Sequence, residues 1–262
     1  MPPIYAIGDI HGQKDMLDNA LSLISEDGGD DAQIVFLGDY VDRGPDSRGV
    51  IDTLMHGQAA GRPWTCLLGN HDRFFARFIR EGRQHDPRVK SGLNWLNPRL
   101  GGAQTLQSYG VVGQMHFAEQ KFGDEEKLVH CETEAGWITP EALIAAAQAS
   151  IPEDHIAFIE SLPLWHETDH LLCVHAGLRP HISLEHQDPD DLIWIREGFL
   201  ETNHNFGQLV VHGHTALDHP QHFGNRVDLD GGAGYGNPLV PAVFEGRHCW
   251  TLTDQGRVPL TI

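Results

Sequence analysis

The sequence predicts an α/β fold, and three observations carry that prediction. The first third alternates short apolar runs with amphipathic helical patterns, the middle is rich in helix-start signals, and the last third is a series of β-type runs. Strands that alternate with helices imply a parallel sheet built from right-handed crossovers. With 262 residues, 40% of them hydrophobic, the chain can bury a sizeable core. No stretch reads as a linker, so a single domain over 1–262 is expected, with a mostly helical insert at roughly 73–170.

In order, Ile4-Tyr5-Ala6-Ile7 reads as a buried strand and Met16 to Ile24 as a helix with Met16, Leu17, Ala20, Leu21 and Ile24 on one face. Ile34-Val35-Phe36-Leu37 is a second strand, Gly49 to Leu54 part of a second helix, and Thr65-Cys66-Leu67-Leu68 a third strand. In the insert, Phe74 to Ile79 is helical, and a turn-rich stretch runs through Pro87, Gly92, Pro98, Gly101 and Gly102. Thr139-Pro140-Glu141 opens a helix with Pro at its first position. Ser150 and Glu153 have capping-box spacing ahead of Ile156, Phe158 and Ile159. Strand signals return at Leu171 to Val174, Leu209 to Val211, Arg226 to Leu229, Leu239 to Phe244 and His248 to Leu252.

Charge narrows the function classes. Lys plus Arg number 18 against 37 Asp plus Glu, a formal charge of −19. Such a surface repels nucleic acid and anionic membrane, so neither is expected as a partner. The start lacks a basic n-region, and no run approaches the roughly 20 apolar residues that span a bilayer. Cys66, Cys131, Cys173 and Cys249 form no C-x-x-C pair and read as reduced. A cytoplasmic monomer is expected.

Histidine numbers 18, as many as Lys and Arg together. Several fall in turns of one chemical kind, each following an apolar strand. They are Gly8-Asp9-Ile10-His11-Gly12, Gly38-Asp39-Tyr40-Val41-Asp42-Arg43-Gly44, Gly69-Asn70-His71-Asp72, Val174-His175-Ala176-Gly177 and Val211-His212-Gly213-His214-Thr215. In open α/β sheets ligands collect at the carboxyl ends of strands, so these turns would converge on one crevice. Taken singly, Gly-Asp and Gly-His are ordinary turn material, and Asp9 or Asp39 could merely cap the next helix. Five such turns in series point to a site. Its donors are carboxylate, imidazole and amide oxygen with no thiolate, a set suited to Mn²⁺, Fe²⁺ or Zn²⁺. Two such ions about 4 Å apart would hold a bridging hydroxide and clamp an in-line displacement at phosphorus.

These turns resemble the metallophosphoesterase (calcineurin-like) superfamily, and within it the PPP-type bacterial serine/threonine phosphatase branch. The patterns GDxHG, GDxVDRG, GNHD/E, HAG and GH all occur here in the family's order. The resemblance implies a central β-sandwich flanked by helices. It implies that Asp9, His11 and Asp39 hold one metal, and Asp39, Asn70, His175 and His214 the other, with Mn the first choice. His71 would be the general acid and Asp42 the carboxylate that orients it. Arg43 offers phosphate a planar fork. Arg196 matches the second phosphate-binding arginine, with a surface ion-pair role as its alternative, and Tyr235 lies in what resembles a substrate-side loop. The fifth turn has Ala216 where phosphodiesterase members carry a second histidine. His212 is left open as a ligand, a neighbour of ligands or a core residue, while His130-Cys131-Glu132 and His219 to His222 read as solvated loops.

The resemblance thus implies a phosphoprotein or small phosphomonoester as substrate, attacked directly by metal-activated water. A diadenosine tetraphosphate hydrolase shares the motifs and is the alternative; a silent phosphate-binding module would need neither His71 nor Asp42.

Overall fold

The computed structural model describes residues 2–119 and 123–262; Met1, at the head of the first strand motif, and 120–122 of the insert lie outside the described residues. The first third forms β1 (Ile4–Ile7), α1 (Lys14–Gly28), β2 (Gln33–Phe36), α2 (Ser47–Ala59), β3 (Trp64–Cys66) and α3 (Asn70–Glu81). β1 pairs with β2 and β2 with β3, both parallel, as crossovers through α1 and α2 require. α1 buries Leu17, Ala20 and Ile24, and α2 buries Val50, Ile51 and Leu54. Asp46, not Asp39, caps α2 by accepting the Gly49 amide, and Gln13 precedes α1 without a side-chain cap. Neither strand-end aspartate therefore caps the helix that follows it.

The insert continues with α4 (Gly102–Ser108), β4 (Gln114–Phe117), β5 (Leu128–Thr133), β6 (Gly136–Ile138), α5 (Pro140–Ser150), α6 (Glu153–Glu160) and β7 (Trp165–Glu167). Helices predominate in it, but β4, β5 and β6 also form a separate antiparallel sheet that the sequence reading did not contain. His130-Cys131-Glu132 lies on β5 rather than in a loop, with Cys131 buried. Thr139 caps α5 as expected, accepting the Ala142 amide. The capping box at Ser150 does not form: Ser150 ends α5, and Pro152 leads α6 with no side-chain cap.

The last third contributes β8 (Leu171–Val174), α7 (Pro189–Trp194), β9 (Leu209–His212), β10 (Gln221–His222), β11 (Arg226–Asp228), β12 (Ala242–Glu245), β13 (His248–Thr253) and β14 (Gly256–Pro259). One sheet runs β14-β13-β12-β1-β2-β3 and a second runs β10-β11-β9-β8-β7. Period-two alternation divides each strand between two cores. Along β1, Ala6 packs with Val35, Leu67, Cys173, Val211 and Val227 between the sheets, while Tyr5 and Ile7 face α1 and α2. The outer face of the second sheet, Leu172, Val174 and Val210, is covered by Leu192, Ile193 and Phe199. The result is the expected sandwich flanked by helices. All four cysteines are free and buried. Among the described residues no helix is long and apolar enough to cross a membrane.

Candidate active site

The turns after β1, β2, β3, β8 and β9 meet at one edge of the sandwich. Their approach is too close for side chains on the backbone between them. A Cβ on Gly213 would lie 2.1 Å from Asp9 Oδ1, and one on Gly38, whose φ is +103°, would lie 2.7 Å from the Gly69 nitrogen. Six non-glycine residues among those described have positive φ, and five of them are His11, Asp39, Asp42, Arg43 and His214. Backbone strain of this kind persists where surrounding structure enforces it, and it clusters at functional sites.

Asp39 sits between two sets of donors. Its Oδ2 is 3.7 Å from His11 Nε2, which is itself 3.9 Å from Asp9 Oδ2. Its Oδ1 is 3.5 Å from His175 Nε2. Asn70 Oδ1 lies 3.0 Å from His175 Nε2 and 2.7 Å from His214 Nδ1. The rings of His11 and His175 are fixed from behind, each through Nδ1 donating to a carbonyl, Val41 and Leu37, at 2.8 Å. That fixes the tautomer: the His175 Nε2 lone pair faces carboxylate and amide oxygen, acceptor against acceptor, whereas His11 Nε2 accepts from an Arg43 nitrogen at 2.5 Å. His214 Nε2 is buried with no hydrogen-bond partner among the described residues.

Electrostatics agree. Burial, then the charges of Asp230 and Asp39, push the Asp9 carboxyl well up; burial and then Asp72 do the same to Asp39. Burial lowers His11 and His214, and takes His175 down to about 3. Neutral imidazoles facing mutually repelling carboxylates make a set that divalent cations would complete. The residues present therefore fit the implied ions. His71 also lies within reach of the His11 and Asp39 ligand atoms, but its Nδ1 is taken elsewhere.

That nitrogen is 2.6 Å from Asp42 Oδ2, which leaves Nε2 facing the crevice, 3.2 Å from an Arg43 nitrogen. Burial and Arg43 lower the His71 pKa, and Asp42 opposes them. Arg43 Nε is buried without an acceptor among the described residues, and the guanidinium stacks 4.7 Å from the ring of Tyr235, which is itself two-thirds exposed. Arg196, exposed just past α7, lines the crevice and donates to the His214 carbonyl at 3.0 Å. His212 is placed behind the centre: Gly213 oxygen and Arg226 occupy its two ring nitrogens.

Sequence reasoning missed four contributors. Asp72 accepts the amides of Asp39, Tyr40 and Gly69, tying the second turn to the third. Asp230 is buried in the crevice wall and hydrogen-bonded to Asp9. Trp95 and Thr105, from the insert, both donate to Asp42. Asp72 stood inside a quoted motif and Asp230 directly after the strand run Arg226 to Leu229, so their signal was present; Trp95 and Thr105 lay in or beside a stretch read only as turns.

The crevice has a volume of about 620 Å³, and Phe74, Leu100, Trp194 and Tyr235 give it apolar walls beside the polar centre. Farther out, Arg88 and Arg179 are engaged with Asp191, and Lys90 with Glu197.

Relatives share parts of this plan. The chain is 28% identical over 156 residues to a symmetrical bis(5'-nucleosyl)-tetraphosphatase of Delftia acidovorans, covering 55% of this chain and 50% of that one. It is 43% identical over 68 residues to the enzyme of the same name from Janthinobacterium sp., covering 26% and 23%. It thus spans at most about half the length of these curated relatives. A crystal structure of a protein proposed to be a diadenosine tetraphosphatase superposes with TM-score 0.61 at 21% identity, covering 99% of this chain and 94% of that one. A cold-active protein tyrosine phosphatase of a Shewanella species superposes with TM-score 0.55 at 15% identity, covering 100% and 81%. At such identities these structures share the fold alone. The profile of the calcineurin-like phosphoesterases matches residues 2–238, which include every turn that builds the centre, and the chain belongs to that family.

Proposed function

We propose that this chain is a phosphomonoesterase working at a two-ion centre, with phosphoserine or phosphothreonine side chains as its substrate class. One observation carries the two-ion reading: the two oxygens of Asp39 face different imidazoles, His11 on one side and His175 on the other. Asp9 would complete the first set, and Asn70 with His214 the second; Mn²⁺ suits the donors, as do Fe²⁺ and Zn²⁺. Bound, the ions would activate water and offset charge on the phosphoryl oxygens. Arg43, with its unpaired Nε, and Arg196 would grip those oxygens. His71 would pass a proton from Nε2 to the leaving oxygen while Asp42 holds Nδ1. A phosphate dianion would draw the Arg43 guanidinium off His71 and so favour the protonated imidazole.

The cations left over support this substrate class. Arg43 and Arg196 contact imidazole rings, Tyr235 and a carbonyl, whereas Arg88, Lys90 and Arg179 are engaged by carboxylates. Two guanidiniums with no carboxylate partner among the described residues match one phosphoryl group better than a chain of four. A second reading, hydrolysis of a dinucleoside tetraphosphate, is favoured by the apolar walls at Phe74, Trp194 and Tyr235, which could seat a base, and by the names of the curated relatives. The test compares kcat/KM for a phosphoserine peptide, 4-nitrophenyl phosphate and diadenosine tetraphosphate with each metal at one pH. The peptide should exceed the dinucleotide; the reverse order moves the chain to the second reading.

A further inference from the structure

The insert reaches into the acid-base pair. Asp42 Oδ2, which accepts from His71 Nδ1 at 2.6 Å, also accepts from Trp95 Nε1 at 2.9 Å. The other oxygen, Oδ1, accepts from the Thr105 hydroxyl at 2.7 Å, and that hydroxyl in turn accepts the Asp42 amide at 2.8 Å. Every one of these contacts to the carboxylate comes from a donor, and none of the groups is exposed.

The surroundings hold these donors rigidly. The indole is fully buried among Phe74, Phe75 and Phe78, with ring centroids 6.2, 6.0 and 4.6 Å away. A Cβ on Gly102 would sit 2.4 Å from the indole, and one on Gly101 2.3 Å from the Arg43 nitrogen, which donates to the Gly101 carbonyl at 3.3 Å. The segment from 95 to 105 thus closes over a turn whose two residues, Asp42 and Arg43, hold φ of +74° and +67°. Without outside contacts such a turn would relax, and the carboxylate would be free to rotate about its own axis.

We propose that Trp95 and Thr105 are positioning residues for proton transfer: by donating to both oxygens of Asp42 they fix the carboxylate plane that aims His71 at the leaving group. This gives the insert a catalytic task, and it rests on the reading of His71 as general acid. A hydrogen bond to a charged group typically accounts for about a factor of ten, so each donor should matter to that extent.

The experiment uses Trp95→Phe, which keeps the ring and loses the N–H, and Thr105→Val, which loses the hydroxyl. Each is assayed with a phosphoserine peptide, whose alkoxide leaving group needs a proton, and with 4-nitrophenyl phosphate, whose phenolate does not. Metal content and melting temperature are read alongside, and His71→Asn serves as reference. The expected result is a kcat loss of about 10-fold on the peptide and less than about 2-fold on the aryl ester, at unchanged metal content. Thr105→Ser should restore the peptide rate. Equal losses on both substrates, or none, while His71→Asn discriminates between them, overturn the inference. If His71→Asn does not discriminate either, the acid reading falls and the inference with it. Should Trp95→Phe fail to fold, the Thr105→Val and Thr105→Ser pair decides by the same ratio.

Discussion

At the scale of single residues, Asp39 has more to do than any other side chain. Its backbone is held at φ +55°, its amide is fixed by Asp72, and its Oδ1 accepts the His71 amide at 2.9 Å while facing His175. A carboxylate so constrained cannot turn to favour one side of the centre. If it bridges, Asp39→Ala should bring metal content toward zero, since both sets lose a ligand. His11→Ala touches one set and should retain about one ion per chain. Elemental analysis after gel filtration decides: near-full occupancy in the Asp39 variant would defeat the bridging assignment. A parallel result in apo-protein titrations with Mn²⁺ would show two affinities collapsing in one variant and one in the other.

At the scale of elements, the turns work because strands end at the same edge and glycines let them approach. Gly213 is the clearest case: its φ is ordinary, so Gly213→Ala carries no backbone strain and only a methyl group 2.1 Å from Asp9 Oδ1. The variant should fold, losing about 1–3 kcal/mol from overpacking, while metal affinity falls because Asp9 is displaced. A melting curve with normal metal binding would show that the β9 turn tolerates movement and does not fix Asp9. The same scale explains what was legible beforehand. β1, β2, β8 and β9 are buried on both faces, so each reads as an unbroken apolar run, and the ligand-bearing turn follows at once. β10, β14 and the β4–β6 sheet are short or half-exposed and carry His, Gln, Arg and Glu, so no alternation stood out. The helix at Gly102–Ser108 was hidden by the glycines that start it. Trp95 and Thr105 could not be placed because their role depends on a contact across more than fifty residues.

At the scale of the whole molecule, an acidic chain of net charge −19 concentrates buried carboxylates at one edge of its sandwich, and that has a consequence for stability. Asp9, Asp39 and Asp228 are pushed well above their ordinary value of 3.8, and Asp72 to about 7, burial being the first cause in each case. A carboxyl whose folded pKa is raised adds stability below its unfolded pKa and loses it as pH rises through the folded one. In metal-free protein this loss should therefore extend across neutrality, through the Asp72 value of about 7. The buried imidazoles act in the opposite sense: His175 and His212, held near 3, cost stability as pH falls below the ordinary 6.5, and contribute little change above it. Between pH 6 and pH 8 the carboxyls should dominate. Divalent ions offset their charge, so the loaded protein should be nearly flat over that interval. The melting temperature gained on adding Mn²⁺ to chelator-treated protein should consequently be larger at pH 8 than at pH 6, at equal free metal. Asp39→Ala, which removes a raised carboxyl together with the ligand, should abolish most of the gain at both. A gain that is the same at the two pH values, or larger at pH 6, would mean that the ions do not relieve the repulsion that folding builds into this edge.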